Sequence, residues 1–327
     1  MAGVHETAGR QSYIFSAAPI VSEKTMLSKF RLVFISALLV TAISASSVMS
    51  VRADGNLLRG FDVPALVPFG NGVRTAPAIY WPIGIAFDGK NLWYSQPCEC
   101  AADIFHSTTN GALLNNLHEL NQAGALAWDG SHLWVAIGAS SQNGATCATG
   151  VSGCALLYQL DVSTGNVIKT LDISSIFAAD QECNFIDGLD YDSSTGTLWV
   201  SPDIGCAFAF SSDPCSVGFV YNIDTSGNLL KRLQLPFGVA GVNKVGSNLY
   251  MVTCKQPDTP QRPVLKTTLD GTVISKFSTV SVSGQRESAE DLAFDPITFA
   301  PACALWVVQD YGFPFDASLA AYQIACP

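Results

Sequence analysis

"GNLLRGFDVP" (Gly55–Pro64) repeats "GNLLKRLQLP" (Gly227–Pro236), with five of ten residues identical. The second copy lies deep in the chain. The first lies almost at the front of what an exported protein would keep. An N-terminal segment that duplicates an interior strand is what a ring of repeats needs when its last unit is completed from the other end of the chain. The question is therefore what the repeat is.

One phrase recurs. It reads "GIAFDGKNLWYSQP" from Gly84, "ALAWDGSHLWVAIG" from Ala125, "GLDYDSSTGTLWVSPD" from Gly188, "GVNKVGSNLYMVTC" from Gly241 and "DLAFDPITFAPACALWVVQD" from Asp291. Each copy alternates, turns through Asp and Gly, and resumes with Leu and an aromatic, which is hairpin chemistry. Further strands follow, such as "ALLYQLDVSTG" with "NVIKTLDIS" and "GFVYNIDTSG" with "NLLKRLQLP". Four antiparallel strands per repeat predict an all-β, five-bladed β-propeller. The spacing between copies leaves room for a disguised sixth blade. No stretch holds a 3.6-residue apolar period over several turns, which excludes helical repeats. The fifth unit ends at "AYQIACP" (residues 321–327), one strand short, and Gly55–Pro64 is the expected fourth strand. Such closure removes the exposed edges of an open ring.

Residues 1–53 read as a signal peptide. Lys29 and Arg31 precede the apolar run Leu32–Ala45, and Val51-Arg52-Ala53 supplies a small-x-Ala end. The run is shorter than the roughly 20 residues that span a bilayer. Met26 is an alternative start, with residues 1–25 an extension of no evident role. Residues 54–327 are expected to be one propeller domain, a monomer, secreted or periplasmic, with no membrane span. The whole chain has 17 basic and 27 acidic residues. Removing Arg10, Lys24, Lys29, Arg31, Arg52, Glu6 and Glu23 leaves 12 and 25, a net charge of −13. That surface repels phosphate backbones, so nucleic acid is not an expected partner.

All ten cysteines follow the signal, and an even count in an exported chain suits disulfides. Cys147 with Cys154 and Cys206 with Cys215 could close loops locally, and Cys303 with Cys326 could tie down the C-terminal strand. Cys98, Cys100, Cys183 and Cys254 have no assignable partner.

In a propeller the residue before strand one and the residue after strand two share a face. Aligned on the Leu–aromatic pairs, the first positions are Ile83, Gly124, Asp187, Ala240 and Glu290, and the second are Pro97, Gly138, Asp203, Cys254 and Asp310. Blades three and five carry acid at both. Asp187, Asp203, Glu290 and Asp310 are thus the candidate metal ligands, with Asp291 beside them the candidate catalytic acid and Glu287 above. Clustered carboxylates raise one another's pKa or recruit a cation, and Ca²⁺ or another divalent metal is the hard ion they suit. The competing reading is that they cap backbone N–H groups or pair with Arg286. Gly84–Lys90 matches the start of a phosphate-binding loop, but Asn91 stands where Ser or Thr is needed and no helix follows. His106, His118 and His132 lack zinc spacing, and no G-x-S-x-G elbow occurs.

The phrase G-x-A-F-D-G-x-x-L-W resembles the NHL-type, gluconolactonase-like and virginiamycin B lyase-like propellers. The gluconolactonase resemblance implies a divalent metal at the channel mouth on Glu290 and Asp187, assisted by Asn184 or Asp203. This chain lacks that family's Glu-Gly-Pro motif, and none of its histidines aligns with a channel-mouth position as the lyases would require. Plant-type glutamine cyclotransferases resemble five-bladed propellers too, but their Glu-Gly motif has no match here. Two functions stay open. One is a binding module for a small molecule, glycan or extracellular protein on the loop face around the channel. The other is a divalent-metal-dependent hydrolase or lactonase, in which Asp291 moves the proton.

Overall fold

The computed structural model describes residues 54–63, 83–96, 103–117, 123–137, 155–180, 184–203, 215–254, 258, 261–282, 287–311 and 317–327. The expected signal segment, Cys98, Cys100, Cys147, Cys154, Cys183, Cys206, His118 and Arg286 lie outside the described residues. The chain divides between residues 1–51 and a second, compact unit, residues 52–327.

The second unit is five four-stranded antiparallel sheets. Blade one is β2 (Ile85–Phe87), β3 (Asn91–Gln96), β4 (Asp103–Thr108) and β5 (Leu113–Leu117). Blade two is β6 (Ala123–Trp128), β7 (Leu133–Ile137), β8 (Leu156–Leu160) and β9 (Val167–Asp172), followed by the short helix α1 (Ser174–Ala179). Blade three is β10 (Ile186–Asp192), β11 (Thr197–Pro202), β12 (Gly218–Asp224) and β13 (Leu229–Leu235). Blade four is β14 (Val239–Val245), β15 (Asn248–Thr253), β16 (Pro263–Thr268) and β17 (Val273–Ser278). Blade five is β18 (Glu287–Asp295), β19 (Cys303–Tyr311) and β20 (Ala317–Ile324), completed by β1 (Leu57–Val63). β1 pairs with β20 from Leu57↔Tyr322 to Val63↔Ala317, so the expected closing strand is the observed one. The inner strands touch in the order β2, β6, β10, β14, β18 and back to β2, which closes a five-bladed ring without a sixth member.

The recurring Asp-turn-Trp letters are a physical device. In blade one Asp88 Oδ1 accepts the N–H groups of Lys90 (2.9 Å) and Asn91 (2.7 Å), while Oδ2 accepts the Trp93 indole N–H at 3.1 Å. Asp129 does the same for Ser131, His132 and Trp134. Asp295 does so for Ile297, Thr298 and Trp306. One carboxylate thus fixes the turn and anchors the large aromatic that packs between blades. Trp134 and Trp306 are fully buried, and each lies in a cluster shared with the next blade. Serines add stitches: Ser95 Oγ accepts the Gly84 N–H and donates to the Gly124 carbonyl of the next blade.

Cys303–Cys326 forms as expected and pins the chain end to β19. The local pairing of Cys206 with Cys215 does not form, because Cys215 bonds Cys254 instead. Both partners lie at the loop-face ends of adjacent blades, so neighbours in space, 39 residues apart in sequence, win over neighbours in sequence.

Two outcomes test this construction. A chain trimmed to begin at Pro64 is expected to lose its cooperative melt by circular dichroism, and a peptide of residues 54–63 added in trans should restore part of it. Asp295→Ala leaves two N–H groups and an indole without an acceptor, and is expected to cost about 2–4 kcal/mol in denaturant unfolding.

Candidate functional site

The inner strands form the channel wall, and their first residues come close to one another. A Cβ on Gly241 would stand 2.5 Å from the Glu290 carbonyl oxygen and 3.0 Å from Asp291 Oδ1. That crowding is why the corresponding positions in blades one to four are Gly84, Ala125, Gly188 and Gly241. Blade five places Asp291 there. Its side chain is fully buried, and among the described residues no group closes a well-formed hydrogen bond on either carboxylate oxygen. The backbone N–H groups of Leu292 and Ile85 face the carboxylate and pull its pKa downward, against the larger effect of burial. Burial drives its pKa well above the ordinary carboxylate range, and the charges of Asp190 and Asp187 push the same way.

Register breaks explain the facing. β18 bulges between Ala289 and Leu292, and β10 between Ile186 and Gly188. Bulges re-aim side chains. In β18 one acid, Asp291, ends up enclosed while its neighbour Glu290 meets Arg262, the residue just before β16, at 2.7 Å. The Arg262 guanidinium also donates to the Ala289 carbonyl at 3.1 Å. Glu290 is therefore an ion-pair partner between blades four and five, with Arg262 in the role the sequence suggested for Arg286.

The other expected site residues separate. Asp187 is 4% exposed and close enough to Asp291 to raise its pKa. Asp203, partly exposed, donates its backbone N–H to the Phe185 carbonyl at 2.9 Å. Asp310 opposes Ser288, and Glu287 opposes Tyr311, at the start of the β18–β19 pairing; their side chains lie outside the described residues. Among the described residues no group of three or more His, Cys, Asp or Glu is placed to hold a metal ion. Of the metal set implied by the gluconolactonase resemblance, Glu290 is engaged by Arg262. His106 stacks on Trp93 with ring centroids 3.9 Å apart and bonds Asp88, which makes it part of the blade.

Sequence reasoning missed Asp190. It occupies the third place of the recurring phrase, counted from Gly84, Ala125, Gly188, Gly241 and Asp291, where blades one, two and five have Ala86, Ala127 and Ala293 and blade four has Asn243. Asn243 Nδ2 donates to Asp190 Oδ1 at 2.8 Å, and the Lys244 N–H donates to Oδ2 at 2.8 Å. Asp190 is partly exposed, yet enclosed enough that desolvation pushes its pKa up to about 7. The Lys244 N–H bond opposes that shift, and the Asp192 charge adds to it. β10 and β18 touch across the channel, which brings Asp190 and Asp187 of blade three to Asp291 of blade five. Asp190 also borders a cavity of about 370 Å³ at the hairpin-turn end of the channel, opposite the loop face.

No protein-family model matches the chain, and no curated protein matches it. Solved structures do. The Myxococcus xanthus glutaminyl cyclase is similar at 12% identity with a TM-score of 0.48, over 83% of this chain and 97% of that one. The tail fiber of Staphylococcus aureus phage P68 is similar at 12% identity and 0.48, over 82% and 52%. BamB from Moraxella catarrhalis is similar at 12% identity and 0.33, over 74% and 59%.

A group whose pKa is raised on folding contributes its full stability below the unfolded value, and that contribution is lost as pH rises through the folded value. For Asp190 the window runs from the ordinary 3.8 to about 7. Asp190→Asn is therefore expected to melt higher than the parent at pH ~8, with the difference closing toward pH ~4. A gap that does not change with pH in paired thermal melts would contradict the burial of this charge.

Proposed function

We propose that this is an exported, monomeric ligand-binding β-propeller. Its ligand is a small molecule, a glycan or a side chain of an extracellular protein that presents hydrogen-bond donors or positive charge to the channel. The observation that carries the reading is Asp291, a fully buried carboxylate on which, among the described residues, no side chain closes a hydrogen bond, at a position that the other blades give to Gly or Ala. Native proteins rarely leave buried polar atoms unpaired without a functional reason. Either protonation state of this carboxyl calls for a partner, donors to the anion or an acceptor for the acid. Two disulfides fit an oxidising compartment, and among the described residues no helix is long and apolar enough to cross a membrane. Kinship with the NHL-type and gluconolactonase-like propellers rests on the repeated Asp-Gly-x-x-Leu-Trp phrase.

A divalent-metal-dependent hydrolase or lactonase is the weaker reading. What favours it is that Asp291 feels Asp187 and Asp190, a concentration of negative charge that a hard cation such as Ca²⁺ would relieve.

Native mass spectrometry of the secreted protein, with and without Asp291→Asn, separates these. The binding reading expects a co-purified molecule in the parent and its loss in the variant, with the variant folded and melting at least as high. Retention of the molecule by Asp291→Asn would sink it. A melting point lowered by chelator, with metal found by elemental analysis, would turn the assignment to the second reading. An unchanged melt with no metal removes that reading.

A further inference from the structure

We propose that the hairpin-turn mouth of the channel, the end opposite the loop face, is a separate binding site for a small organic ammonium compound, with Asp190 and Asn243 receiving the ammonium group. The argument does not depend on the role of Asp291.

The cavity there, about 370 Å³, is bordered by the ends of all five inner strands. At the fourth place of the recurring phrase stand Phe87, Trp128, Tyr191, Lys244 and Phe294, all in its lining. Four aromatic residues in equivalent positions give an apolar rim, which also attracts a cation that approaches a ring face. One place deeper, three alanines give way to Asp190 and Asn243. Asn243 is 3% exposed, and its amide is oriented by the bond from Nδ2 to Asp190. That leaves Asn243 Oδ1 buried, with no hydrogen-bond partner among the described residues. The unsatisfied atom is an acceptor, beside a carboxylate that can accept more. Such a site favours a group that only donates. An ammonium N–H fits, while a sugar hydroxyl must also be given a donor.

The one cation in the lining does not neutralise this wall. Lys244 Nζ is held 2.9 Å from Asp192 Oδ2 and 2.9 Å from Ser194 Oγ. Its charge is spent on Asp192, whose own pKa, though pushed up by burial, is held below the ordinary range by bonds from Ser194, Lys244 and Thr195. Asp190 then faces Lys244 of β14 and Asp291 of β18, with Asp192 on its own strand. β6, β7 and β11, which also pack on β10, contribute no titratable residue. A ligand cation is the charge this pocket lacks.

The test is calorimetric titration with 2-phenylethylamine, its uncharged counterpart 2-phenylethanol, its N,N,N-trimethyl derivative, and methyl glucoside. The amine should bind at least about tenfold more tightly than the alcohol and the glucoside. The trimethyl derivative, which cannot donate to Asn243, should fall between. Binding should weaken from pH ~8 to ~5.5 as Asp190 takes a proton, while the amine, like a lysine side chain, stays charged. In Asp190→Asn, a variant expected to fold at least as stably, amine binding should drop by about tenfold or more and lose that pH dependence. Equal binding of alcohol and amine, preference for the glucoside, no amine binding by the parent protein, or an unchanged pH profile in Asp190→Asn would each overturn the proposal.

Discussion

Everything in this ring depends on one carboxylate doing two things at once in a hairpin. Asp88, Asp129 and Asp295 each hold the turn's N–H groups with one oxygen and an indole N–H with the other. The turn sets the register of the first two strands, and the indole sets the aromatic that fills the space to the next blade. The two blades without the clasp are the ones that furnish the polar wall. In blade three Asp192 turns to Ser194, Thr195 and Lys244, and the Trp199 indole N–H has no partner among the described residues. In blade four Val245 replaces the Asp, and Tyr250 replaces the Trp. Its hydroxyl reaches Asp54 instead, next to the closing strand. Blades three and four have given up part of a local stabilising device, and between them lie Asp190, Asn243 and Lys244.

The environment decides what an Asp is for in this chain. In the exposed turns Asp161 is held below the ordinary range chiefly by the Ser163 side chain, and Asp224 chiefly by Asn228. These acids favour the fold wherever they are ionised. In the channel the same residue type meets the opposite physics. Asp190 and Asp291 lose their hydration and gain too little in exchange, so both are pushed upward. Residues that oppose folding near neutral pH are candidates for function, because perturbed carboxylates cluster where chemistry or binding needs them.

Much of this was legible in the letters. The five hairpins and the closing strand Gly55–Pro64 could be read because turn chemistry and alternation are local, and because a ring repeats its local rule. Cys303–Cys326 was legible because both cysteines belong to one blade. Cys215–Cys254 was not, since it joins blades whose adjacency in space no spacing reveals. The bulges in β10 and β18 were equally hidden. A single extra residue reverses which of two adjacent acids is enclosed, so a strict strand alignment cannot separate Glu290 from Asp291. Asp190 was visible as a carboxylate among alanines. That signal gains meaning only once the third place of each copy of the recurring phrase is known to border a cavity.

The placement of these groups also bears on how a ligand could act on stability. Asp187 and Asp190 both lie within electrostatic reach of Asp291 along the channel, and Lys244, the cation beside Asp190, is already paired with Asp192. Removing charge by mutation and supplying countercharge by binding relieve the same repulsion, so both should raise the melting point. They differ in their pH dependence. Substitution abolishes the titration of Asp190, whereas a bound cation lowers its pKa and moves the titration toward acid. A channel that is least comfortable when empty near neutral pH is one in which binding energy and folding energy are drawn from the same carboxylates.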